Sequence, residues 1–224
     1  MLLMRSPRVV VFDFNGVLLN DLCVAYGSVQ EIFKTYDIPC PTLEQFREEI
    51  TAEFMEFYFQ HGFSRPTAKD ELEKLRDDLQ TIRRIFYRAN EGNACIRSDV
   101  SNMVRWLLAR NFYVAIVSAE RRTTLHKYLV KDGLQRQFDC IISGAWGDGA
   151  KEKALIDAAE IFEVRPGNMI YVDDTVDGLR AAGNAGVVPV AFTNMTGYNS
   201  SHKLMEVTDI NINEISGLKE LIRY

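Results

Sequence analysis

The chain has 224 residues, 47% hydrophobic and 25% charged, with a formal net charge of −5. This balance excludes a chain that is disordered as a whole. Six Pro and 14 Gly exclude a collagen-like or proline-rich one, and the absence of a basic surplus argues against nucleic acid or an anionic membrane as partner. No run approaches the roughly 18 apolar residues needed to span a bilayer. The apolar N-terminus is interrupted by Arg5, Pro7 and Arg8 and stopped by Asp13 without a small-residue cleavage site, so no signal peptide is expected. Cys23, Cys40, Cys95 and Cys140 form no Cys-x-x-Cys pair. Zinc and redox use are therefore not expected, and a reduced, cytoplasmic setting is.

The first predicted strand covers residues 8–14. No strand run follows until residue 96. Leu43, Phe46, Ile50, Phe54 and Phe57 recur at helical spacing, as do Leu72, Leu75, Leu79, Ile82 and Phe86. Each set predicts an amphipathic helix, with His61-Gly62 and Arg65-Pro66 as punctuation between them. Beyond residue 96, helices are predicted at 100–110, 123–130, 152–162 and 179–185. They alternate with strands at 113–118, 139–143, 169–173 and 187–192. A short run at 210–212 and a helix at 214–222 complete the pattern.

The strand runs are short and almost continuously apolar, as parallel strands buried on both faces are. Alternation of strand and helix implies right-handed crossovers. The expected fold is α/β: a Rossmann-like, doubly wound, mainly parallel sheet built from residues 1–20 and 97–224. A single crossover needs about one helix, so residues 21–96 are in excess. They are expected to form an inserted α-helical cap over the carboxyl edge of the sheet, where ligands bind in open α/β folds.

Four strand ends carry polar residues that suit chemistry. The first reads Asp13-Phe14-Asn15-Gly16. A carboxylate with an ordinary pKa of about 3.9 is ionised at neutral pH and attacks without a partner base, although an Asp-x-Asn-Gly stretch is also a common turn. The strand at 113–118 ends in Ser118, either a hydroxyl donor beside helix N–H groups or a plain N-cap. Arg121 and Arg122 follow, as a solvated face or a substrate contact. After the strand at 139–143, a glycine-rich loop leads to Lys151 and Lys153. Lys151 is favoured as the functional cation because it is nearer the strand edge.

The fourth end reads Asp173-Asp174-Thr175-Val176-Asp177. These acids either complement a helix N-terminus or hold a cation. If Asp13 and Asp174 approach to about 4 Å, their repulsion costs about 4 kcal/mol at an effective dielectric near 20. A hard cation removes that cost, and an all-oxygen set favours Mg²⁺ over zinc.

Taken together, the four sites resemble the haloacid dehalogenase superfamily, phosphatase branch. The order matches: Asp-x-Asp/Asn-Gly, then Ser/Thr, then Lys, then an acidic motif, with a helical insertion like the family's first-type cap. The resemblance implies an enzyme, a Mg²⁺-dependent phosphohydrolase acting on a small phosphorylated metabolite. In it Asp13 would form an aspartyl-phosphate. Mg²⁺ would be held by Asp13, the backbone carbonyl of Asn15 and Asp174, while Ser118 and Lys151 would bind the phosphoryl group.

Two departures qualify the match. Asn15 stands where the family's general acid usually does, and an amide cannot trade a proton. In the acidic motif, Asp173 replaces a glycine and Gly178 stands at the usual final Asp, leaving Asp173 or Asp177 as the supporting acid. The alternatives are a low-turnover phosphate-binding or regulatory relative and, behind it, a phosphonatase or dehalogenase. A phosphonatase would need a Schiff-base lysine, for which the insertion offers Lys34, Lys69 and Lys74. Tyr26, Arg47, Phe54 and Tyr58 are candidate substrate contacts from the insertion, the aromatics alternatively forming its core.

Overall fold

The computed structural model describes residues 9–51 and 53–222. Residue 8, the start of the first predicted strand, lies outside the described residues. The chain divides into two compact units, one made of Met1–Asn20 with Ile96–Tyr224 and the other of Asp21–Cys95.

In chain order, β1 (Val9–Phe12) and β2 (Leu19–Asn20) come first. The second unit holds α1 (Leu22–Thr35), α2 (Leu43–Glu49), α3 (Phe54–Gln60) and α4 (Lys69–Asn90). Then follow β3 (Cys95–Ile96), α5 (Val100–Leu108), β4 (Tyr113–Ser118), α6 (Arg122–Lys131), β5 (Cys140–Ser143) and α7 (Ala150–Ile161). The chain closes with β6 (Met169–Asp173), α8 (Val176–Asn184), β7 (Val188–Phe192), α9 (Ser201–Met205), β8 (Asn211–Ile212) and α10 (Leu218–Leu221).

The larger unit is built on a six-stranded sheet in the order β5-β4-β1-β6-β7-β8, with parallel pairings throughout. β1 lies between β4 and β6, so Val9–Phe12 faces Tyr113–Ile116 on one side and Met169–Val172 on the other. Successive strands run outward from β1 in opposite directions. The carboxyl end of β1 is therefore a topological switch point, where open α/β sheets leave a crevice.

Every residue of β1 and β6 is buried, which explains their uninterrupted apolar runs. Val9, Val11, Ala115, Val117, Met169 and Tyr171 pack with Ala154, Leu155, Ala158 and Ala159 of α7 and Ala182 of α8. The alanines bring these helices close to the strands. Residues of the other parity, Val10, Phe12, Val114 and Ile116, are wholly buried as well. α5 packs on β4 and buries Val100, Met103, Val104 and Leu107. The doubly wound parallel sheet expected from the sequence is the fold observed.

The second unit is helical. Gly27 of α1 lies against the Phe86 ring of α4, where a Cβ would come within 2.8 Å of the ring. Phe33, Phe57, Tyr58 and Phe63 form an aromatic core, with the Phe33 and Phe63 centroids 5.2 Å apart. Burial pushes the Tyr58 phenol up to about 12. The Tyr26 hydroxyl donates to the Pro41 carbonyl at 2.8 Å, and the Phe54 ring lies against Tyr58. These aromatics belong to the unit's own packing.

Three details differ from the sequence reading. The spacing of residues 43–57 predicts one helix, but the structure has two, α2 and α3. Ile50 ends the first in an extended conformation (φ −66°, ψ 135°), in keeping with the poor helix propensity of the β-branched pair Ile50-Thr51. α1 was not singled out, because its apolar residues sit among small ones such as Gly27 and Ser28. Residues 214–222 are not one helix: a 3₁₀ turn at Ile215–Gly217 precedes the single turn of α10. There Ser216 N–H donates to the Asp99 carboxylate at 3.0 Å instead of continuing an α-helical ladder.

Candidate active site

The polar strand ends meet at the carboxyl edge of the sheet. Asp13 follows β1, and its N–H donates to Val172 O at 2.9 Å, extending the ladder by one residue. Asp173 is the last residue of β6 and Asp174 the next; both are fully buried. Ser118 ends β4 and is also buried. Gly149, at φ 68°, is the N-cap of α7, and Lys151 stands in its first turn.

Lys151 bridges the two central strands. Its Nζ donates to Asp13 Oδ2 at 3.2 Å and to Asp173 Oδ2 at 2.8 Å. The ammonium also lies 5.6 Å above the centre of the Tyr171 ring. Tyr171 is buried between the strands, and its hydroxyl donates to Val117 O at 3.0 Å.

Each carboxylate of β6 is held differently. Asp173 Oδ1 accepts from the Thr175 N–H and hydroxyl, both at 2.7 Å. Thr175 is in turn the N-cap of α8, its hydroxyl accepting from Gly178 N–H at 3.1 Å. Asp174 Oδ2 accepts from Tyr198 N–H at 2.6 Å, and the Asp174 carbonyl accepts from Asn199 N–H at 3.1 Å. Gly16 adopts φ 73°, and a Cβ there would collide with the Asp174 carboxylate. Only glycine serves at that position.

Burial pushes the Asp13 carboxyl up to about 6. Lys151 pulls it down and Asp173 pushes it up. Burial works against the charge on Lys151, but Asp13 and Asp173 together hold its pKa above the ordinary value. Tyr171 is raised well above the usual phenol, first by burial and then by the negative charge of Asp13 and Asp173.

Oxygen atoms of Asp13, Asp173 and Asp174 all lie within 4.8 Å of one another. Lys151 pairs with two of the three carboxylates, and Asp13 Oδ1 is buried without a hydrogen-bond partner. Such an orphaned anion oxygen is costly. A hard divalent cation supplies both the charge and the missing partner, and an all-oxygen donor set suits Mg²⁺. The residues present fit the ion.

The other sequence candidates fall around this centre or away from it. Asn15 is half-buried and pairs through its backbone with Leu19. The Ser118 hydroxyl accepts from Glu120 N–H at 3.2 Å. Asp177 stands in the first turn of α8, outside the group of meeting carboxylates. Lys153 is exposed and pairs with Asp157 at 2.9 Å. Arg121 and Arg122 are exposed at the start of α6. In the second unit, Lys34 and Lys69 are exposed beside Glu31 and Glu73, and Lys74 is exposed.

Sequence reasoning gives no role to Thr175, Tyr171 or Tyr198. A threonine directly after two acids that open a helix is a legible N-cap signal. The backbone N–H of Tyr198 carries no side-chain signal at all.

Comparison with known proteins shows the family and the fold. Residues 10–192 match the family model described as haloacid dehalogenase-like hydrolase, and the chain belongs to that family of enzymes. A haloacid dehalogenase-like hydrolase domain-containing protein of Arabidopsis thaliana is 24% identical, over 98% of this chain and 79% of its own length. A haloacid dehalogenase-like family hydrolase of Streptococcus pneumoniae superposes with a TM-score of 0.76 at 16% identity, covering 98% of this chain and all of that one. A protein of Clostridium acetobutylicum described as a predicted phosphatase gives 0.76 at 17% identity, with coverage of 97% and 98%. No helix among the described residues is long and apolar enough to cross a membrane.

Proposed function

We propose that the chain is a Mg²⁺-dependent phosphohydrolase acting on a small phosphomonoester. The observation that carries this reading is the buried Asp13 carboxylate, with Lys151 at 3.2 Å and oxygens of Asp173 and Asp174 within 4.8 Å. The structural neighbour described as a predicted phosphatase supports it.

In this reading an Asp13 carboxylate oxygen attacks phosphorus. The bond from phosphorus to the leaving oxygen breaks, its electron pair stays with that oxygen, and an aspartyl-phosphate remains. Water then attacks the phosphorus, releasing inorganic phosphate and restoring the carboxylate. Lys151 and the Ser118 hydroxyl bind the phosphoryl oxygens, so positioning and charge stabilisation do most of the work. Asp13, Asp174 and the backbone carbonyl of Asn15 would hold Mg²⁺, which when bound offsets negative charge on the phosphoryl group. Asp173, with Thr175 on one oxygen and Lys151 on the other, is the supporting acid and orients the ammonium. Asp177 is the less favoured one.

Asn15 cannot protonate a departing alkoxide. The preferred substrates are therefore aryl or acyl phosphates, whose leaving groups need no proton. Residues 21–95 would act as the cap that selects among them. The four free thiols support a cytoplasmic setting. Asn15 also favours a second reading, a phosphate-binding or regulatory relative with little turnover. Phosphonate cleavage is disfavoured by the exposure of Lys34, Lys69 and Lys74, and dehalogenation by the acidic cluster.

A turnover screen over phosphometabolites with Mg²⁺, beside thermal shift against the same panel, tests the assignment. Multiple turnovers that vanish in Asp13→Asn support the phosphohydrolase. Ligand-induced stabilisation without turnover supports the second reading and overturns the first.

A further inference from the structure

We infer that Arg97 is a positioning residue for Asp174, and through it for the metal end of the site; this rests on the Mg²⁺ reading above. Arg97 is the second residue of the larger unit after the chain returns from residues 21–95. Its guanidinium grips the loop that follows Asp13. Nε donates to Val17 O at 2.8 Å and Nη2 to Gly16 O at 2.6 Å. Its backbone N–H donates to Leu18 O at 2.9 Å. Three consecutive carbonyls beyond Asn15 are thus fixed by one residue. The guanidinium also lies 4.8 Å over the ring of Phe192 at the end of β7, and Nη1 reaches Asn194 Oδ1 at 3.5 Å.

Two routes run from Arg97 to the same carboxylate. Along one, it holds Gly16, whose Cα is packed so closely against Asp174 that a side chain there would collide with the carboxylate. Along the other, it contacts Asn194. That side chain also accepts from the Thr196 N–H and hydroxyl at 3.0 and 2.7 Å and donates to Asn213 O at 2.7 Å. This fixes the turn leading to Tyr198, whose N–H donates to Asp174 Oδ2. Asp174 is clamped between two loops, and Arg97 touches both.

Only arginine serves here, because a planar fork presents several donors at once and stacks on a ring, whereas lysine offers a point charge. Arg97 does not touch the reacting atoms. Its effect is expected on metal affinity rather than on substrate binding.

The test is calorimetric titration of Mg²⁺ into substrate-free parent, Arg97→Lys, Arg97→Met and Asn194→Ala. Turnover of p-nitrophenyl phosphate is measured in parallel at saturating Mg²⁺. Partners that orient metal ligands are typically worth about 10–100-fold in affinity, so both Arg97 variants should bind Mg²⁺ at least about tenfold more weakly, with KM unchanged. Lysine should not rescue, and Asn194→Ala should show a smaller loss of the same sign. Equal Mg²⁺ affinity in parent and Arg97→Lys overturns the inference, whatever the change in stability. If Arg97→Met does not fold, the lysine and Asn194 variants decide. A parent that binds no Mg²⁺ overturns the metal reading and this inference together, whereas equal binding by parent and variants overturns this inference alone.

Discussion

The carboxylate of Asp173 occupies the space that any side chain at Gly178 would need: a Cβ on Gly178 would collide with both carboxylate oxygens and the carbon between them. One acid fits in this corner of the site, and it arrives from the strand rather than from the helix.

This exclusion reverses the usual sign of a helical glycine substitution. Gly178 lies inside α8, where Gly→Ala ordinarily gains about 0.5–1 kcal/mol. Gly178→Ala should instead lower the melting temperature and cut turnover, because Asp173 must leave both Thr175 and Lys151. The double variant Asp173→Gly/Gly178→Asp should recover part of the lost activity. Thermal melts and kcat on an aryl phosphate check both statements.

Lys151 holds two buried carboxylates together. Breaking a buried pair by removing one partner typically costs about 3–5 kcal/mol. Lys151→Met should therefore melt well below the parent in EDTA. Mg²⁺ should raise the variant's melting temperature more than the parent's, since the cation then takes over the positive charge beside Asp13 and Asp173. Equal Mg²⁺ shifts in both would contradict the charge-balance argument.

Asp13 is the protein nucleophile of the proposed chemistry. Asp13→Asn should abolish turnover while leaving the fold intact by circular dichroism. Denaturing quench of the parent during turnover, followed by mass spectrometry, should find phosphate on the peptide that carries Asp13. The same peptide from the variant should carry none.

Position 15 should set the rate only where a proton is needed. General acid help is typically worth 10²–10⁴-fold. Asn15→Asp should raise kcat on alkyl phosphates by about 10²-fold or more and change aryl phosphates far less. Equal gains on both classes would show that position 15 does not limit protonation.

Much of the core was legible because its strands are buried on both faces: Val9–Phe12 and Met169–Asp173 admit hardly any polar residue until the strand ends. The first polar side chain then marks the sheet edge, which is how Asp13, Ser118, Asp173 and Asp174 stand out. Lys151 was legible from its place just after the glycine-rich loop.

What the sequence did not show depends on distant partners. Nothing local tells that Asp173 rather than Asp177 would join Asp13, because the choice turns on the space beside Gly178. Arg97 lies 81 positions from the Gly16 carbonyl it grips, and no periodicity records such a contact. The break between α2 and α3 was hidden because the apolar spacing continues across it.

The strand that leads into Asp13 is made well before both of the strands it pairs with. Val9–Phe12 emerges from the ribosome long before either neighbour, Tyr113–Ile116 or Met169–Val172, has been synthesised. At roughly 5–20 residues per second, it waits on the order of ten seconds for its second partner. The chain made in the meantime includes residues 21–95, a compact helical unit with its own core and the local contacts that fold fast. Asp173 and Asp174 arrive only with β6, so the acidic centre cannot be complete until that strand has been made.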